Sequence, residues 1–121
     1  MLGILLSASL SLQEQIALSS TTQVSEIVSA EPTLSAIEIR LRMQQLPDWT
    51  TDGSSLYQTR TFEGFVEAVA FVDSLVEPAE QLGHHPDITI SYNQVSLELT
   101  THDAEGLTNL DFQLARKISQ L

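Results

Sequence analysis

Two runs near the C-terminal end alternate strictly between apolar and polar residues. Ile88, Ile90 and Tyr92 interleave with Asp87, Thr89 and Ser91, and Val95, Leu97 and Leu99 interleave with Gln94, Ser96 and Glu98. Period-two patterning on both sides of Tyr92-Asn93-Gln94 predicts a β-hairpin with one buried and one wet face. Elsewhere the period is helical. Ser35-Ala36-Ile37-Glu38 is a capping box, after which Ile39, Met43 and Leu46 recur at helix spacing until Pro47 stops them. Turn residues Thr51-Asp52-Gly53 precede a β-branched and aromatic stretch, Ser55 to Phe62, that reads as a strand. Phe62, Phe65, Val66, Val69, Val72, Val76 and Ala79 then trace one face of a long helix, which Pro78 is expected to kink or end. Thr108-Asn109-Leu110-Asp111 is a second capping box, opening a helix striped by Leu110, Leu114 and Ile118.

Hairpin strands with helices covering one face predict an α+β, two-layer domain with antiparallel strands. The domain is expected over 34–121. Residues 1–33 are rich in Ser, Thr and Gln, with only a faint helical stripe at Ile16, Val24, Ile27 and Val28, and predict a poorly ordered extension.

Composition narrows the partners. Five basic against sixteen acidic residues give a net charge of −11, which repels phosphate backbones and anionic lipid, so neither nucleic acid nor a membrane is an expected partner. No apolar run approaches the ~18–20 residues of a membrane span. There is no cysteine, hence no disulfide framework and no thiolate nucleophile or metal ligand. The apolar, Ser-rich start, Met1 to Ser11, has the look of a leader, but no Lys or Arg precedes Arg40, so a basic n-region and an Arg-rich transit pattern are both missing. A cytoplasmic location is the resulting expectation.

All three histidines, His84, His85 and His102, fall in the best-patterned half of the chain, among carboxylates. Imidazole, with an ordinary pKa of about 6.5, both gives and takes protons near neutral pH. Counting by twos from Ser96 through Glu98 and Thr100 puts His102 on the wet side of its strand. Pro86 holds His85 extended, which turns the neighbouring imidazoles to different sides.

Glu80 followed by His84-His85-Pro86, then Tyr92-Asn93, Thr101-His102, Gly106-Leu107-Thr108 and Asp111, resembles the pterin-4a-carbinolamine dehydratase family. Leu46-Pro47-Asp48-Trp49 and the aromatic Phe62–Phe71 stretch resemble further family elements, and the likeness runs from about Leu34 to the C-terminus. The resemblance implies an antiparallel four-stranded sheet and the element order α-β-β-α-β-β-α, which the pattern fits if Trp49 begins the first strand. Pro78 departs from it, standing where the family carries a helix former. The resemblance implies dehydration of a 4a-hydroxy-tetrahydropterin, such as 4a-hydroxytetrahydrobiopterin, to the quinonoid dihydropterin. It implies His84, His85 and His102 as acid, base and orienter around the 4a-carbon, in no assigned order, with Glu80 one helical turn before His84 to hold it. Asp111 would support the site. Pro86, Thr101, Asp103 and Ala104 would line the pterin pocket with the histidines. No metal or redox cofactor is implied. A homodimer through sheet edges or a homotetramer is, as is an aromatic amino-acid hydroxylase in the same pathway.

Blander readings stand beside these. His84 and His85 could cap a helix C-terminus, where cationic imidazole gains roughly 0.3–1 kcal/mol from the dipole. Asp111 is explained by its capping box alone. Trp49, Phe62, Phe65 and Phe71 read most simply as core, and Glu80 as a solvated helix surface residue. Two rival functions are a zinc site built from the histidines with Glu80 or Asp111, and a non-catalytic dimerisation or assembly adaptor on the same fold.

Overall fold

The structure, a computed structural model, describes residues 31–121. The expected extension therefore lies outside the described residues, apart from its last three positions. The first helix, α1 (Ala36–Met43), starts at the capping box: Ser35 Oγ accepts the Glu38 N–H at 3.2 Å, and Glu38 Oε2 accepts the Ser35 N–H at 2.9 Å. Leu46 and Trp49 then turn into the core. Strands β1 (Thr50–Thr51) and β2 (Leu56–Thr61) follow, so the first strand begins just after Trp49. Between them Asp52 Oδ1 accepts the backbone N–H groups of Ser54 and Ser55, both at 2.9 Å. Those two donors hold the Asp52 carboxyl below the usual carboxylate range.

Helices α2 (Phe65–Ser74) and α3 (Val76–Leu82) occupy the predicted long helix. The break falls at Leu75, three residues ahead of Pro78. A proline ring collides with the carbonyl four residues back and offers no N–H, and both defects are harmless in a first turn. Restarting the helix at Val76 puts Pro78 in that first turn. The buried face differs from the predicted one. Ala68, Phe71 and Leu75 are buried along with the expected Ala79, and Phe62 and Val72 pack partly buried against the core, while Phe65, Val66, Val69 and Val76 are exposed. This segment is apolar on two sides, so periodicity alone cannot choose between them.

Strands β3 (Asp87–Ser91) and β4 (Gln94–Leu99) form the predicted hairpin. All strand pairs are antiparallel and the four-stranded order is β1-β2-β4-β3. Val95, Leu97 and Leu99 are buried as their alternation predicts, but all of β3 is exposed. Ile88 pairs with Leu97 and Ile90 with Val95, so both isoleucines share the inner face. They remain 39% and 37% exposed because they sit at the sheet's edge, where helix cover runs out.

The last helix, α4 (Asn109–Ser119), buries Phe112, Leu114, Ala115 and Ile118 against the same face. Together with Leu56, Phe71, Leu75 and the β4 apolar residues these make one core. The inner face of β2 is less apolar, since Gln58 and Arg60 follow Leu56 along it. Arg60 Nε donates to Gln58 Oε1 at 2.8 Å, one Nη to the Ile118 carbonyl at 2.9 Å, and its guanidinium lies 4.5 Å from the Phe71 ring centre. It thereby adds a charged donor to a carbonyl in the last turn of α4 that also accepts the Leu121 N–H at 3.0 Å. Burial pulls the Arg60 pKa down from its ordinary value. The helices cover one face and polar residues of β4 cover the other, which is the α+β two-layer arrangement.

The corrected helix face has a measurable consequence. Leu75→Ala, at a position 2% exposed, is expected to cost about 2–5 kcal/mol in urea unfolding. Val66→Ala, on the face predicted to be buried but 76% exposed, is expected to stay within about 0.5 kcal/mol of the parent.

Candidate functional site

Helix α3 ends on Gly83, whose φ of 60° is in the left-handed region that glycine enters without strain. The Gly83 N–H donates to the Glu80 carbonyl at 3.2 Å and the His84 N–H to the Ala79 carbonyl at 3.1 Å. This paired closure stops the helix and fixes the backbone of His84. Pro86 then keeps His85 extended into β3. A cap is thus present, but it is made by Gly83 and two backbone N–H groups.

The two rings go to different carboxylates. His84 is nearly enclosed, its side chain 11% exposed, and its Nε2 lies 2.6 Å from Oδ1 of the fully buried Asp111. His85 faces water, 59% exposed, and its Nε2 lies 2.8 Å from Oε1 of the equally open Glu80. This corrects the expected pairing of Glu80 with His84. One helical turn aligns Cα positions, but the chain leaves the helix at Gly83, so the residue that swings back over Glu80 is the one beyond His84.

Asp111 opens α4 and does two jobs at once. Its Oδ2 accepts the Thr108 N–H at 2.9 Å, closing the capping box, and the Thr101 hydroxyl at 2.7 Å. A buried carboxylate is costly unless its lone pairs are met, and here Thr108, Thr101 and His84 meet them at the positive end of a helix. The capping explanation and the site explanation of Asp111 coincide.

His102 is exposed, though not because it continues a strand: β4 ends at Leu99 and the chain leaves the sheet. Thr101 bridges Gly106, with Thr101 N donating to the Gly106 carbonyl at 3.1 Å, and His102–Ala104 make a single 3-10 turn inside that loop. Glu105, at φ 57°, closes it. Asp103 is exposed and Ala104 half-buried on this turn. Among the described residues the His102 ring forms no hydrogen bond. The Thr101 hydroxyl is turned inward to Asp111 and Thr108, not outward into a pocket. Glu80, His85 and Pro86 border an apolar cavity of about 170 Å³ whose floor is Leu75, Val76 and Ala79.

His84, Asp111 and Thr101 are therefore joined by direct contacts, and His85 and His102 are the chain neighbours of two of them. Thr108 completes the network. Its capping role is legible in the Thr-x-x-Asp pattern, whereas its side-chain bond to Thr101, seven residues back, carries no sequence signal. Among the described residues no three His, Asp or Glu side chains are grouped to hold a metal ion. No helix among them is long and apolar enough to cross a membrane.

Known proteins resemble this chain over the same domain. Residues 32–121 match the family model described as pterin 4 alpha carbinolamine dehydratase. A Nostoc sp. protein provisionally named as such a dehydratase is 58% identical over 88 residues, 73% of this chain and 95% of its own length. A Cyanothece sp. relative with the same provisional name is also 58% identical over 88 residues, 73% of this chain and 91% of its own. The crystal structure of a transcriptional coactivator/pterin dehydratase from Brucella melitensis superposes with a TM-score of 0.68 at 32% identity, over 73% of this chain and 96% of that one.

The two histidine–carboxylate pairs differ in burial and should differ in cost. Asp111→Ala strips the acceptor from three donors in a dry site and removes a cap, an expected loss of about 2–4 kcal/mol in denaturant unfolding. Glu80→Ala opens only a solvated pair and is expected to leave the unfolding midpoint where it is.

Proposed function

The chain belongs to the pterin 4 alpha carbinolamine dehydratase family, and from that premise we propose that it removes water from a 4a-hydroxy-tetrahydropterin by histidine acid–base catalysis. The observation that carries this reading is the contact chain from His84 through Asp111 to Thr101, the neighbour of His102. It ties the segment bearing His84 and His85 to the one bearing His102 through the start of α4.

In the reaction the C4a–O bond breaks and the hydroxyl departs as water with a proton from an acid. A base takes the ring N–H proton, leaving the quinonoid dihydropterin with no net proton change. Two proton carriers suffice, so neither a metal nor a redox cofactor is called for. A carboxylate only accepts hydrogen bonds, so an ionised Asp111 keeps a proton on His84 Nε2 and leaves Nδ1 as the working nitrogen. Glu80 does the same for His85, with a looser hold. His84, His85 and His102 share the roles of acid, base and orienter. The substrate is 4a-hydroxytetrahydrobiopterin or a close relative, formed by an aromatic amino-acid hydroxylase, and the setting is cytoplasmic.

The free edge of β3 and its uncovered Ile88 and Ile90 support pairing with a second copy as a homodimer, or a homotetramer of such pairs. Sedimentation should then show a dimer or larger for the parent, and a monomer once Ile88→Lys and Ile90→Lys are combined. A monomeric parent would remove the oligomer from the proposal.

The reaction itself is tested by rapid-kinetic loss of enzymatically generated 4a-carbinolamine with and without the protein. The parent is expected to accelerate it and His85→Ala to lose a factor of about 10²–10⁴. Equal, buffer-level rates from both would overturn the enzyme reading in favour of an assembly adaptor.

A further inference from the structure

We propose that Thr101 is a positioning residue which, acting through Asp111, holds the His84 ring in one orientation and one tautomer. The inference deepens the dehydratase reading and rests on it for its kinetic arm only.

The direction of each hydrogen bond in the network follows from donor counting. An ionised carboxylate can only accept, so the 2.7 Å contact spends Thr101's single hydroxyl proton on Asp111 Oδ2. Thr101 Oγ1 then has only lone pairs for Thr108 Oγ1 at 2.8 Å, which makes Thr108 the donor. Thr108 Oγ1 in turn accepts the Leu110 N–H at 3.3 Å. The order is therefore Leu110 N–H, Thr108 O–H, Thr101 O–H, Asp111 Oδ2, each group with one possible polarity.

With the Thr108 N–H also on Oδ2 at 2.9 Å, that oxygen is held from two directions and the carboxylate plane cannot rotate freely. Oδ1 is thereby aimed at His84 Nε2. Thr108 and Asp111 are both inaccessible to solvent, so water cannot readily take the place of a lost hydroxyl. The bond along the chain from Thr101 to His102 adds a second consequence, because the residue that orients one imidazole also anchors the loop carrying another.

Thr101→Val keeps the shape and removes the hydroxyl, while Thr101→Ser keeps the hydroxyl. If Thr101 positions His84, Thr101→Val loses about tenfold in kcat with KM within about twofold, and Thr101→Ser recovers kcat to within about twofold. Nitrogen-15 NMR of the histidine rings supplies the readout independent of turnover. His84 in the parent and in Thr101→Ser should show protonated Nε2 and bare Nδ1 when neutral, and in Thr101→Val the two nitrogens should average. An unchanged His84 spectrum in folded Thr101→Val, or a kcat loss that serine does not restore, would overturn the proposal. A parent without dehydratase activity would sink the reaction reading alone, since the spectra still decide the positioning.

Discussion

The Asp111 carboxylate is the constraint on which the site depends. It is wholly buried at the start of α4 and is met by a backbone N–H, a threonine hydroxyl and an imidazole, each from a different segment. A charge in that position is tolerable only if all three donors are in place. The requirement therefore acts backwards on the chain. Gly83 must turn α3 so that His84 arrives, and β4 must end early enough for Thr101 to fold inward against Gly106 and Thr108. The same contacts that neutralise a liability in the fold also fix the His84 imidazole and the residue that precedes His102.

Legibility in the sequence divides along the line between local and long-range physics. Both capping boxes, the hairpin at Tyr92-Asn93 and the burial of Val95, Leu97 and Leu99 are readable because their causes lie within a few residues. The outward face of α2 is not readable. Phe65, Val66 and Val69 are as apolar as the buried residues of the same helix, so the pattern alone does not choose between the two faces. The exposure of β3 is hidden for a related reason, since alternation reports parity and not whether a helix extends far enough to cover an edge. In the site, the residue types and order of Glu80, His84, His85, His102 and Asp111 were legible through family resemblance. Which carboxylate serves which imidazole was not. That choice is made by the left-handed turn at Gly83, a conformational fact that spacing arguments on an ideal helix leave out.

Arg60 shows the same logic away from the site. Placed on the inner face of β2, it looks misplaced by alternation, yet its guanidinium closes the carbonyl end of α4 and lies over Phe71. Polar residues at both ends of α4, Asp111 at the first turn and Arg60 reaching the last, fix that helix against the sheet with opposite charges matched to the helix dipole. The position of the site is thus set from the far end of the helix as well as from its own capping box.

The contrast between the two histidine–carboxylate pairs bears on how labour can be divided. A pair open to water gains little from holding one geometry, roughly 0–1 kcal/mol, because each partner has solvent as an alternative. His85 and Glu80 are such a pair and can separate and re-form at small cost, which suits a group that must approach a ligand or release a proton to bulk water. His84 has no such freedom. Its partner is dry, triply engaged and anchored in a helix start, so moving the ring would strand a buried carboxylate. A fixed imidazole beside a mobile one is an arrangement in which one nitrogen is preorganised and the other is exchangeable. The difference comes from burial, since both rings point Nε2 at a carboxylate and sit next to one another in the chain.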